Sequence, residues 1–246
     1  IENIFVPPVP YDAGLAIGCV QYFLKEHLKK ELVIDELFDS PYLGRSYSED
    51  DVYDALEKFI GKVSTIQCSD LEAAKLLTRK KIISVYGGKS ESGRRALGNR
   101  SILADPRHED MKDLINEKVK HRQSFRPFAP SIIRESVSDW FVEDIDSPYM
   151  SFAIPFKKDK AKLVPAVVHL DGTGRLQTVT ESSNSWYYNF IKTFSLLTDV
   201  PILLNTSFND REPIVETPSD AIKTFLKTDI DFLYFRELNL LVKKDV

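Results

Sequence analysis

Short apolar runs alternate with helical ones through the second half of this chain, and that alternation restricts its fold more than any other feature. Residues 81–86 form a β-rich run that stops at Gly87-Gly88, and 200–204 and 231–235 are apolar enough for buried strands. Residues 185–198 set Trp186, Tyr187, Phe190 and Phe194 at helical spacing. The next helical run, 218–227, opens on Pro218 with Asp220 in its first turn. A helix over 110–119 has an acidic start and a Lys118/Lys120 end, which suits its dipole. Short strands are expected over 125–133 and 151–155, and 164–169 leads as a strand into a turn at 171–175. Mixed elements of these lengths predict an α/β domain from about residue 82 onward.

The first part is less regular. Residues 2–6 read as a strand ending in Pro7, Pro8 and Pro10, and Asp12 is placed to cap a helix running through 19–27. Past an apolar patch at 32–34 the chain is irregular to residue 50, with helices expected over 51–59 and 70–79. No stretch approaches the roughly 18 apolar residues of a membrane span, and no cationic leader precedes an apolar run. Cys19 and Cys68 lack the companion spacing of a disulfide framework or a cysteine zinc site, which fits a reducing cytoplasm. The first residue is isoleucine, and the chain reads as a fragment or a processed product.

Charge singles out one segment. Between Gly87 and Arg134 there are 11 Lys and Arg against 6 Asp and Glu, whereas the whole chain carries 33 against 37. A cationic segment in an acidic chain points to a small, dense anion more than to a nucleic-acid backbone. Arg94, Arg95 and Arg100 sit among turn-forming residues. Their guanidinium forks suit phosphate or carboxylate oxygens, and internal pairing to Glu91 and Asp105 is the alternative. Lys120, Arg122 and Arg126 strengthen the anion reading, with Phe125, Pro127 and Phe128 to stiffen their loop. His169, at a strand end before a glycine turn, is a nucleotide donor, a general base or a packed core histidine. Asn205, Thr206, Ser207 and Asn209 follow a buried strand, where α/β folds collect ligand loops; a polar turn is the alternative. No metal-ligand spacing, P-loop or nucleophile elbow is present.

Several blocks, taken in order, resemble the NodU/CmcH-type carbamoyltransferases. The first is Arg95-Ala96-Leu97-Gly98-Asn99-Arg100-Ser101-Ile102-Leu103-Ala104-Asp105-Pro106-Arg107, followed by Lys120-His121-Arg122 and Phe125-Arg126-Pro127-Phe128-Ala129-Pro130. Ser147-Pro148-Tyr149-Met150 and His169-Leu170-Asp171-Gly172-Thr173 come next, the latter with Arg175, Gln177 and Thr178. Leu204-Asn205-Thr206-Ser207-Phe208-Asn209 and Glu212-Pro213-Ile214-Val215 close the series. Two blocks depart from the family pattern. Glu91-Ser92-Gly93-Arg94-Arg95 replaces a usual Glu-Phe-Gly-Pro-Arg, and Asp210-Arg211-Glu212-Pro213 replaces Arg-Gly-Glu-Pro.

The resemblance implies a YrdC-like α/β domain over 79–246, with a twisted central sheet and flanking helices. Residues 1–78 would then be the mostly helical C-terminal segment of an actin-like ATPase-fold domain, with a linker. It further implies that carbamoyl phosphate and ATP give carbamoyl-adenylate here, for transfer to an acceptor hydroxyl by the actin-like domain. On that basis Arg95, Lys120, Arg126 and Arg175 are the catalytic clamp on carbamoyl phosphate and the nucleotide phosphates. Asn205, Ser207, His169, Arg100 and Arg122 bind the nucleotide, and Asp12 holds a metal. The implied cofactors are ATP with Mg2+, and a divalent metal such as iron in the complete actin-like domain. The implied partners are a hydroxylated small-molecule acceptor, the missing N-terminal actin-like domain and a second copy in a homodimer, with no nucleic acid and no membrane. Two competing classes are a threonylcarbamoyl-adenylate synthase-like tRNA-modification factor and a non-catalytic nucleotide or carbamoyl phosphate-binding module. The acidic surroundings give little support to a tRNA surface.

Overall fold

The computed structural model describes residue 4, residues 6–31 and residues 40–245. Within them the chain forms the strands β1 (Val63–Gln67), β2 (Ile83–Tyr86), β3 (Arg100–Ala104), β4 (Ala129–Ile133), β5 (Phe152–Pro155), β6 (Thr173–Val179), β7 (Ile202–Ser207), β8 (Phe232–Phe235) and β9 (Leu240–Lys244). All nine make one sheet in the order β1-β9-β8-β2-β3-β7-β4-β6-β5. β2 runs parallel to β8 and β4 parallel to β6, while the other pairings are antiparallel. The fold is therefore α/β with a mixed sheet.

The helices are α1 (Leu15–Tyr22), α2 (Glu49–Glu57), α3 (Asp70–Thr78), α4 (Met111–Lys118), α5 (Val137–Trp140), α6 (Lys158–Ala161), α7 (Ser185–Thr198) and α8 (Pro218–Lys227). Reciprocal side-chain and backbone bonds close the N-termini of three of them: Ser48 with Asp51 on α2, Ser69 with Glu72 on α3, Thr217 with Asp220 on α8. α3 packs on α7 and α2 on α8. The inner stripe of α7, Tyr187, Phe190, Ile191 and Phe194, is buried. Each such side chain contributes about 1.5–3 kcal/mol of apolar burial. Among the described residues no helix is long and apolar enough to cross a membrane.

The expected helices over 185–198 and 218–227 coincide with α7 and α8, and the strands at 81–86, 200–204 and 231–235 fall on β2, β7 and β8. Four expectations need correction. Residues 164–169 are not a strand: Pro165 opens a 3-10 turn, Pro165–Val167, and the Ala166 amide donates to Pro106 O. The strand expected over 125–133 begins only at Ala129, because the Ser124 and Arg126 carbonyls accept from the Asn116 side chain instead of from a neighbouring strand. Asp12 caps no helix; it sits in a 3-10 turn, Asp12–Gly14, and the N-cap of α1 is Gly14, without a side-chain bond. β1, β3 and β9 were not anticipated. β1 is hydrogen-bonded to β9, so the sheet reaches back across the boundary drawn at residues 78 and 79. Residues 2, 3 and 5 of the opening run and the apolar patch at 32–34 lie outside the described residues.

Candidate anion-binding site

The loop between β2 and β3 is held by its backbone. Glu91 Oε1 accepts from the amides of Leu97 (2.7 Å), Asn99 (2.9 Å) and Arg100 (3.3 Å), so this oxygen is spent on N–H groups and not on a guanidinium. From the sheet, Asn205 Nδ2 donates to Ala96 O (3.1 Å) and Gln177 Nε2 to Leu97 O (3.1 Å). The Tyr42 hydroxyl donates to the same Leu97 carbonyl (3.0 Å). Asn205 Nδ2 and Ser131 Oγ both donate to Gln177 Oε1, which ties β7, β6 and β4 into one polar knot. Gly98 turns the loop at φ +118°, and a Cβ there would stand 2.5 Å from the Tyr187 ring.

So fixed, the loop brings Arg94 and Arg95 to Arg122 and Arg126, from the segment after α4, and to Arg175 on β6. The five guanidinium side chains line a cavity of about 140 Å³, together with Asn205, Thr206 and Ser207 at the end of β7. No carboxylate lines it. Among the described residues, none of the five arginines takes part in a salt bridge. Burial brings Arg175 down to about 10, with Arg95 and Arg122 pushing the same way. Burial and then Arg126 bring Arg122 to about 10, and burial and then Arg94 lower Arg95. The cations thus raise one another's cost, and a dense anion in the cavity removes it.

Two of the five, Arg122 and Arg94, are positioned by neighbouring side chains. Asn116 on α4 is fully buried; its Oδ1 accepts from Arg122 Nε (2.7 Å), and its Nδ2 donates to Ser124 O (3.2 Å) and Arg126 O (3.0 Å). One amide thereby fixes the loop that carries two of the cations. The Arg122 guanidinium lies 4.9 Å over the Phe128 ring, and that of Arg94 4.8 Å over Tyr11.

Of the sequence candidates, Arg95, Arg122, Arg126, Arg175, Asn205 and Ser207 come together on this cavity. Lys120 does not line it. It is buried, and its Nζ donates to the Ser207 carbonyl and hydroxyl and to Asn209 O (2.7 Å) and Oδ1 (2.8 Å). Burial, then Arg122, push its pKa down to about 7. Arg100 is also outside the lining: it is fully buried, donates to Gly87 O (2.7 Å), Asn99 O (3.0 Å) and Gly88 O (3.2 Å), and lies 3.7 Å from the Tyr86 ring centre.

His169 is half-buried on the turn before β6 and within electrostatic reach of Arg175. Thr173 gives its only hydroxyl proton to Asp171 Oδ1 (2.8 Å), so towards His169 Nδ1 (3.0 Å) it can only accept. The imidazole proton is then on Nδ1, and Nε2 is a bare, buried lone pair without a partner. Burial lowers the His169 pKa. Among the described residues, no group of three or more His, Cys, Asp or Glu side chains clusters to hold a metal. Asp12 alone does not fit one.

Sequence reasoning missed Glu91 as the loop anchor and Asn116 as the hinge pin of the second cationic segment. Glu91 carried a signal, an acid seven residues before the turn glycine Gly98, but it read as an ion-pair partner. Asn116 carried none, since its role depends on how the chain returns to it.

A family model described as carbamoyltransferase C-terminus matches residues 74–244. The nodulation protein NolNO of Sinorhizobium fredii is 43% identical over 242 residues, which are 94% of this chain and 35% of that protein. NolO of Bradyrhizobium diazoefficiens is 42% identical over 241 residues, 94% of this chain and 43% of its own length. Nodulation protein U of Rhizobium tropici is 37% identical over 208 residues, 85% of this chain and 34% of that one. The chain spans between about a third and a little over two fifths of the length of these relatives. With its model matched from α3 to β9 across the whole cationic cavity, the chain belongs to the carbamoyltransferase C-terminus family.

Proposed function

We propose that this chain is the portion of an O-carbamoyltransferase that forms carbamoyl-adenylate from carbamoyl phosphate and ATP. Residues 79–246 would be the YrdC-like domain of the enzyme, and residues 1–78 the C-terminal segment, with a linker, of an actin-like domain that passes the carbamoyl group to an acceptor hydroxyl. The observation that supports this best is the set of five arginines lining one cavity with no carboxylate among them. Such a set is suited to bringing two polyanions together, which would otherwise repel.

In the net reaction, water cleaves the acyl phosphate to carbamate and phosphate. A carbamate oxygen then bonds to the α-phosphorus, the bond from that phosphorus to the α–β bridging oxygen breaks, and pyrophosphate leaves with the electron pair. Negative charge gathers on each departing group, where Arg95, Arg126 and Arg175 offer open forks. Arg122 adds a fourth, aimed by Asn116. Lys120 holds Ser207 and Asn209 in place behind them.

The test is exchange of labelled pyrophosphate into ATP by the purified chain, with and without carbamoyl phosphate. Exchange that needs carbamoyl phosphate and is lost in Arg95→Ala and Arg175→Gln supports the reading. Tight nucleotide binding with no exchange would point to a portion that needs the rest of the enzyme, or to a binding module that has lost the chemistry.

A further inference from the structure

Arg94 differs from the other cations of the cavity in where its support comes from. It is exposed in the β2–β3 loop, beside Arg95. Burial and then Arg94 lower the Arg95 pKa, so the two guanidinium groups repel each other, and repulsion favours rotamers that carry Arg94 away from the cavity. A long, exposed side chain also has many rotamers to give up when an anion fixes it. The Arg94 guanidinium lies 4.8 Å over the ring of Tyr11, and the negative face of that ring offsets both costs.

Tyr11 comes from outside the sheet, from the segment ahead of α1, and is itself braced. Its hydroxyl donates to Ser92 O (3.5 Å), two residues before Arg94 in the same loop. Ser92 is fixed in turn, its amide and its hydroxyl both donating to Pro41 O (2.8 and 2.9 Å). Pro8 O packs against Gly93, between these two contacts. On the segment's own side, Val9 is buried and the Gly14 amide donates to Tyr11 O (2.7 Å). We infer that Tyr11 is a positioning residue for the anion site, aiming the Arg94 guanidinium into the arginine cavity from a segment outside the sheet. The fifth cation is in place only while that segment is seated on the loop. The dependence is mutual: an anion that engages Arg94 also holds the segment down. In the function proposed above the segment belongs to the transfer part of the enzyme, so a filled anion site is felt there.

This inference rests on the anion reading above, and a double-mutant cycle separates their failures. Inorganic tripolyphosphate is titrated into the parent chain, Tyr11→Phe, Tyr11→Ala, Arg94→Ala and the double variant. Tyr11→Ala is expected to weaken binding about fivefold, and Tyr11→Phe, which keeps the ring, to stay within about twofold of the parent. With Arg94 already removed, Tyr11→Ala should cost less than about twofold, which a merely structural role for Tyr11 would not give. Equal weakening by Tyr11→Ala with and without Arg94, or none in either, overturns the positioning role and leaves the arginine cavity standing. So does a loss in Tyr11→Phe as large as in Tyr11→Ala. Deuterium exchange over residues 9–14 should slow when tripolyphosphate is added to the parent and not to Arg94→Ala; unchanged exchange in the parent overturns the mutual hold. Failure of tripolyphosphate to bind the parent overturns the arginine cavity, and the positioning role with it.

Discussion

The molecule uses two groups of arginines in opposite ways. Arg100, at the foot of the loop, is fully buried, and its Nη1 and Nη2 spend their donors on the carbonyls of Gly87, Asn99 and Gly88. Arg107 closes a fork on Asp105, and Arg134 pairs with Asp144 and Asp146. These cations are answered, and they hold turns in shape. Arg94 and Arg122 are steadied by Tyr11, Asn116 and Phe128, and none of Arg94, Arg95, Arg122, Arg126 and Arg175 meets a carboxylate in an ion pair among the described residues. Burial of a cation therefore does not mark a site. An unanswered fork does.

The difference is sharpest in stability. Arg100→Leu strands the Gly87 and Gly88 carbonyls and leaves Asn99 O with the Gly87 amide alone, at about 1–3 kcal/mol for each group left unmade. A loss of roughly 3 kcal/mol or more is expected, seen as a thermal midpoint lower by about 6–12 °C. Arg175→Gln should do the reverse. Removing one member of a repelling set holds or raises the midpoint, while pyrophosphate exchange disappears. Equal destabilisation by the two substitutions would erase the distinction between the groups.

Gly98→Ala attacks both groups through the loop they share. The added Cβ meets the Tyr187 ring, and φ +118° is a conformation that side-chain-bearing residues rarely adopt. A cost of about 2 kcal/mol is expected in denaturant titration, with weaker phosphate binding because Arg94 and Arg95 move with the loop. Asn116→Ala is aimed at the other cationic segment. It frees the Ser124 and Arg126 carbonyls and the Arg122 stem together, so tripolyphosphate affinity should fall about tenfold, or about 1.4 kcal/mol. Unchanged affinity in Asn116→Ala would mean that Arg122 and Arg126 find the anion without being positioned.

How far the sequence discloses this depends on range. α7 and α8 are legible to their end residues because apolar spacing and caps lie within each run: Asn184 accepts from the Tyr187 amide, and Thr217 and Asp220 cap each other. β1 and β9 are not, since β1 is a half-exposed run whose pairing is decided by a strand some 180 residues away. The arginines declare themselves as charge, and the family blocks name most of those lining the cavity. Which of them are spent is set by long-range closure: Arg100 and Arg95 look alike in sequence, and only the return of Gly87 and Gly88 against the Arg100 fork separates them. Asp12 shows the converse, a residue that looks like a cap locally but meets a chain that turns one step too early.

Lys120 belongs to neither group, and its titration tells which one it resembles. Four oxygens of Ser207 and Asn209 surround its ammonium, as carbonyls surround Arg100. Burial and the neighbouring Arg122 nevertheless push its pKa down from 10.5 to about 7, as in the cavity group. If that depression holds, the unfolded chain binds more protons at this site than the folded one between about pH 7 and 10.5, so its contribution to stability rises with pH through that window. Below about 7 both states keep the proton, and the charge penalty is borne in full. Lys120→Met has nothing to titrate there, so the midpoint of the parent chain should gain on that variant by a few degrees as pH is raised from 6.5 to 9.5. A difference that stays flat across the range would show the four oxygens outweighing burial and Arg122, and would place Lys120 with Arg100, as a cation already spent.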